Sequence, residues 1–245
     1  MKPQVFDTAE EMASAVADRF VDSAEEAARN GRSLSVALSG GSTPRFLFKE
    51  LASSPRRERI PWGAVHLFWS DERCVPPQHS ESNFGMARVT LLRNITIPET
   101  NIHRIRGENE PEAEAVRYSD EITFALRTPS GDRPRLDWIF LGMGVDGHTA
   151  SLFPGSPILS NEKDACGVAE HPETRQKRVT LTLPIINNAA RVSFMVTGKD
   201  KAEIVARVVA LDVGSREYPA SLVNPNEGEL DLFLDRQAAS RLHRI

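Results

Sequence analysis

The 245-residue chain has no apolar run approaching the roughly 20 residues that span a bilayer. Its first residues, MKPQVFDTAEEM, hold no apolar signal core. Neither a membrane partner nor export is expected. Cysteine is nearly absent. Cys74 and Cys166 lie far apart and outside CxxC spacing, and read as free thiols in a reducing, cytoplasmic compartment. An excess of positive charge is missing too. Lys and Arg total 30 against 34 for Asp and Glu, a net charge of −4, which argues against nucleic acid as a partner. The histidines (His66, His79, His103, His148, His171 and His243) form neither HExxH nor a comparable pair, so no metal is expected. There is no internal repeat, no low-complexity segment and no dividing linker, so one domain over 1–245 is expected, with a monomer as the working expectation. A chain of this length buries roughly 70–75% of its unfolded surface and needs no disulfide or metal to fold.

What is present alternates between helix and strand signals. Thr8 and Glu11 form a capping-box pattern, and Met12, Val16, Phe20 and Ala24 recur at helical spacing towards a stop near Asn30 and Gly31. Strands are expected over 34–38, 65–69, 101–105, 136–141, 178–183, 192–197 and 231–234. Helices are expected over 83–92, over 111–126 and after 198, with a terminal helix closing the chain. Pro44 suits a first helical position with Thr43 as its cap, opening a helix that carries Phe46, Leu47, Phe48 and Leu51. Segments 128–135 and 156–176, rich in proline, glycine and charge, read as surface loops. The alternation predicts an α/β fold with a mostly parallel sheet and helices on both faces.

In such a sheet, ligands gather outside the carboxyl ends of the strands. Four polar segments each follow a predicted strand: Ser39–Pro44, Ser70–Arg73, Gly142–Thr149 and Gly198–Lys201. Parallel strands would bring all four to one edge. In the first, Gly40 and Gly41 allow close backbone approach, and Ser42, Thr43 and the free N–H groups of the next helix favour an anion. No GK[ST] follows, so this is not a Walker loop. In the second, Arg73 offers a planar fork for phosphate or carboxylate, with Asp71 and Glu72 available to orient it or to act as a base. The fourth sets Lys199 and Lys201 at a helix start, where cations oppose the dipole unless an anion is bound. The third carries most. His148 can take a proton from water, and Asp146, two residues earlier on a glycine-dense loop, can orient it.

Each segment alone also has a plain structural explanation: a glycine turn, a surface ion pair, a structural histidine or solvated lysines. Gly142, Gly144 and Gly147 spell GxGxxG, but Pro154 and Gly155 interrupt where a long helix should follow, so no nucleotide cofactor is expected. Ser42 fails the GxSxG nucleophile pattern because Pro44 takes the last position.

Read together, five stretches resemble the 6-phosphogluconolactonase family, in order and over most of the chain. They are SGGSTP (39–44), FWSDERCVP (68–76) with SNFGMA (82–87), LGMGVDGHTASLFPGS (141–156), RVTLTLPIINNA (178–189) and VTGKDKA (196–202). The resemblance implies a Rossmann-like sheet shared with sugar-phosphate isomerases and deaminases, no cofactor, and hydrolysis of 6-phospho-D-glucono-1,5-lactone in the oxidative pentose phosphate pathway. It implies His148, Asp146 and Asp71 as catalytic candidates, and Gly40, Gly41, Ser42, Thr43, Arg73, Arg178 and Lys201 as substrate-binding ones. Lys201 is preferred to Lys199 because the family lysine precedes an alanine-like position, which Ala202 fits. The glucosamine-6-phosphate deaminases share similar SGG[ST]P and DGH segments but carry a catalytic glutamate five residues after the histidine, where this chain has Phe153. That difference ranks a sugar-phosphate deaminase or isomerase below the lactonase. A non-catalytic sugar-phosphate sensor is the other alternative; such proteins usually add a DNA-binding segment, and none is read here.

Overall fold

Leu34–Leu38 and Trp138–Leu141 are buried at every position. Successive strand side chains point to opposite faces, so these two strands are covered on both sides. They lie inside a six-stranded sheet in the computed structural model, which describes residues 3–210 and 217–242. The sheet order is β1 (Pro3–Phe6), β9 (Glu229–Asp235), β8 (Arg191–Val196), β5 (Trp138–Leu141), β2 (Leu34–Leu38) and β3 (Val65–Trp69). Every pairing is parallel. All six carboxyl ends therefore open on one edge, and the expected fold class is the one observed. Among the described residues, no helix is long and apolar enough to cross a membrane.

The first helix, α1 (Ala9–Arg29), follows its sequence signals. Thr8 Oγ1 accepts from Glu11 N at 3.1 Å, and Met12, Val16, Phe20 and Ala24 are fully buried. The Glu11 carboxylate reaches back one residue beyond the cap, to Asp7 N at 3.1 Å. The remaining helices are α2 (Ser42–Leu51), α3 (Arg56–Arg59), α4 (Asn83–Thr90), α5 (Pro111–Ala125), α6 (Leu183–Ile186) and α7 (Ala202–Ala210).

Several expectations are corrected. Ser70–Arg73 is no simple loop: β4 (Asp71–Arg73) pairs antiparallel with β7 (Lys177–Leu181), which pairs with β6 (Cys166–Glu170) in a second sheet. β6 lies within the stretch read as a loop, its Gly167 and Glu170 masking a segment whose Cys166 and Ala169 are buried. No strand forms over 101–105; a 3₁₀ turn at Glu99–Asn101 leads to a single bridge between Ile102 and Leu67. Residues 236–241 form turns in place of a terminal helix, and His243 lies outside the described residues. β1 has no counterpart among the expected strands.

Thr43 is not a cap. α2 begins at Ser42 behind Gly41, whose φ of 102° suits glycine, and no side chain caps the helix. The Thr43 hydroxyl instead meets that of Thr197 at 2.7 Å, tying the first polar segment to the fourth.

Where β3 hands over to the second sheet, Tyr118 holds the chain. Its buried hydroxyl accepts from Trp69 N at 2.8 Å and donates to Trp69 O at 3.0 Å. Tyr118→Phe leaves both backbone groups unpaired in the core. It should lower unfolding free energy by about 1–3 kcal/mol in denaturant titration.

Candidate active site

Beyond the carboxyl ends of β2, β3, β5 and β8 lies a cleft of about 260 Å³. Its wall includes Gly40, Gly41, Ser42 and Thr43 from the first polar segment, Asp71 and Arg73 from the second, His148 from the third and Lys201 from the fourth. Arg178, on β7, joins them. Lys199 does not line the cleft. Asp146 stands behind His148 rather than in the wall.

The His148–Asp146 pair is close. Nδ1 lies 2.6 Å from Asp146 Oδ1, and the same oxygen accepts from His148 N at 3.2 Å. An ionised carboxylate only accepts, so Nδ1 carries a proton, and in the neutral imidazole Nε2 then keeps its lone pair. Burial works to raise the Asp146 carboxyl, but the hydrogen bond and charge of His148 outweigh it and hold the group below its ordinary value. The loop closes on itself through Gly144 N to His148 O at 2.8 Å. A Cβ at Gly144 would sit 2.1 Å from His148 Nδ1 and 2.5 Å from Asp146 Oδ1, so only glycine leaves room for the pair. Gly144→Ala should therefore cost turnover, read as a fall in kcat, with an unfolding midpoint close to that of the parent. Behind the imidazole stands Phe153, 2% exposed, with ring centroids 4.9 Å apart.

The other end of the cleft is cationic. Arg73 and Arg178 are direct partners in the β4–β7 register. Like charges facing across an antiparallel pair repel. Among the described residues no carboxylate lies within salt-bridge distance of either, and each has a buried Nε without a partner. Arg73 Nη1 donates to Glu81 O at 2.6 Å, and the Arg178 guanidinium lies 5.5 Å from the centre of the Phe153 ring. Burial, then the charge of Arg73, push Arg178 below its usual range. Lys201 adds a third cation, 3.7 Å from Asp200. The uncapped first turn of α2 presents free N–H groups to the same space. An anion there would relieve the repulsion and complete these donors.

Asp71, 5% exposed, accepts from Ser151 Oγ at 2.7 Å and from Asn83 Nδ2 at 3.2 Å. Glu72 departs from its expected role. It lies outside the cleft, 2% exposed, and accepts from Arg73 N, Asn83 N, Phe84 N and Ser82 Oγ at 2.7–2.9 Å. It thus caps α4 and does not orient the Arg73 guanidinium. Burial raises its carboxyl against those four bonds. Asn83, Thr197 and Ser151 escaped the sequence reading, although Asn83 stands inside the SNFGMA stretch. Burial pushes the Cys74 thiol up to about 11 and Cys166 to about 12, which leaves both as poor nucleophiles. Among the described residues no three His, Cys, Asp or Glu side chains converge as a metal site requires. No long helix follows the GxGxxG stretch: turns lead to a 3₁₀ segment at Pro157–Ser160.

Residues 7–232 match the family model described as glucosamine-6-phosphate isomerases/6-phosphogluconolactonase. A 6-phosphogluconolactonase of Haemophilus influenzae is 44% identical over 207 residues, covering 84% of this chain and 87% of that protein. Among solved structures, a crystal structure of a devB protein superposes with a TM-score of 0.90 at 40% identity, covering 99% of both chains. The 6-phosphogluconolactonase from Trypanosoma brucei superposes with a TM-score of 0.83 at 29% identity, covering 99% of this chain and 98% of that one.

Proposed function

Because the chain belongs to the glucosamine-6-phosphate isomerase/6-phosphogluconolactonase family, we propose that it hydrolyses 6-phospho-D-glucono-1,5-lactone to 6-phospho-D-gluconate in the oxidative pentose phosphate pathway. One observation supports this reading above the rest: an imidazole with a free Nε2 and two unneutralised arginines share a single cleft.

The substrate carries a dianionic phosphate at one end and an electrophilic ester carbonyl at the other. The first turn of α2, with Gly41, Ser42 and Thr43, holds the phosphate together with Arg73, Arg178 and Lys201. His148 Nε2 takes a proton from water as the water oxygen bonds to C1. The C1–ring-oxygen bond then breaks, and the imidazolium returns that proton to the departing ring oxygen. Asp146 holds the imidazole in the required tautomer and stabilises its cationic form. General base catalysis of this kind contributes about 10²–10⁴-fold. That scale suits a lactone that already opens in water. Asp71, buried and lining the cleft, is a second carboxylate within the substrate's surroundings. Two free thiols support a reducing, cytoplasmic setting.

The test is a coupled assay of lactone consumption by the purified chain, read above the spontaneous rate. Hydrolysis well above that rate supports the proposal. Hydrolysis at the spontaneous rate, with ammonia released from glucosamine 6-phosphate, would assign the site to deamination.

A further inference from the structure

Asn83, the first residue of α4, is 2% exposed yet forms part of the cleft wall. Its amide has one possible orientation. Nδ2 lies 2.9 Å from Asp71 O and 3.2 Å from Asp71 Oδ1. A backbone carbonyl and a carboxylate only accept, so the NH₂ faces them and both its hydrogens are committed. The amide oxygen is what remains. It rests against Gly40, where a Cβ would lie 1.7 Å from it, and no donor among the described residues reaches it. Nor is it sealed in. Among the described residues, the buried side-chain polar atoms without partners are Trp69 Nε1 and the Nε atoms of Arg73, Arg88 and Arg178, and Asn83 Oδ1 is not one of them. An unpartnered atom outside that group is not fully buried, and the residue that carries it lines the cleft.

The oxygen is also held firmly. Asn83 N donates to Glu72 Oε1 at 2.7 Å, and Ser82 caps α4 by accepting from Gly85 N at 2.9 Å. The cleft thus has two characters. Arg73, Arg178, Lys201 and the start of α2 offer donors and positive charge. Asn83 Oδ1 and the Asp71 carboxylate offer acceptors only. Acceptors repel phosphate and carboxylate oxygens, so they suit hydroxyl donors. A sugar lactone carries such hydroxyls between its phosphate and its carbonyl.

We propose that Asn83 Oδ1 accepts a hydrogen bond from one ring hydroxyl of the substrate, which makes Asn83 a specificity-determining residue. The inference rests on the lactonase reading above. Asn83 also steadies Asp71 through Nδ2, but that contribution applies equally to every substrate. Only the oxygen distinguishes a substrate that carries the hydroxyl from one that lacks it.

The experiment measures kcat/KM for 6-phosphoglucono-1,5-lactone and its 2-deoxy, 3-deoxy and 4-deoxy analogues, above the spontaneous rates. In the wild type, one analogue should fall about 10-fold below the parent lactone, the scale of one hydrogen bond. In Asn83→Ala that gap should shrink to within about 3-fold, while the parent lactone slows. Asn83→Ser, with a smaller hydroxyl acceptor, gives a second variant less disturbing to the fold. Two results overturn the inference: a wild type that treats all three analogues like the parent, or an Asn83→Ala that slows all four lactones by one factor. A wild type that hydrolyses none of them above background removes the lactonase reading itself, and this inference with it.

Discussion

His148→Ala should lower kcat for the phosphorylated lactone by about 10²–10⁴-fold, the range that a general base supplies. The fall belongs in kcat, with KM little changed, because the phosphate end of the cleft keeps Arg73, Arg178, Lys201 and the start of α2. Progress curves must be corrected for spontaneous ring opening, which sets the floor of the assay. The variant should fold normally, since the His148 side chain is 30% exposed and its backbone bond with Gly144 survives the substitution. Near-normal turnover by a folded variant would remove His148 from the chemistry and leave the Asp146 hydrogen bond as a loop-stabilising contact.

Arg178→Ala should have the largest effect on binding. A charge-assisted bond to phosphate contributes about 1.5–3 kcal/mol, so KM for the phosphorylated lactone should rise about 10- to 150-fold. Arg73→Ala should act in the same direction. Neither change should matter much to a gluconolactone without phosphate, and that contrast is the informative part. The two arginines are register partners, neither has a carboxylate within salt-bridge distance among the described residues, and the charge of Arg73 lowers Arg178, so removing one relieves repulsion in the empty protein. The free variants should accordingly lose little stability, apart from the Arg178 contact with Phe153. Equal losses on phosphorylated and unphosphorylated lactones would contradict the phosphate role.

What was legible in the sequence was local or periodic. The capping box at Thr8, the wholly apolar strands and the glycine-dense loop around Asp146 and His148 each lie within a few consecutive residues. The gathering of four polar segments followed from one rule, that parallel strands share a carboxyl edge, and the cleft wall draws on all four. What stayed hidden depends on partners distant in sequence. β4 is three charged residues that become a strand only because β7 lies beside them, with Glu72 opposite Val179, 107 positions later. Glu72 looks like a surface acid until the start of α4 folds over it. Thr43 reads as a helix cap, yet its hydroxyl is claimed by Thr197, 154 positions away. Asn83 gives no signal by itself; its oxygen matters because Asp71 takes both hydrogens of its amide.

The most direct test of the central claim is a crystal structure of the chain with 6-phosphogluconate bound. The phosphate should lie against Arg73, Arg178, Lys201 and the first turn of α2, with the C1 carboxylate about 3 Å from His148 Nε2. A product bound with its phosphate at His148, or away from both arginines, would contradict the account.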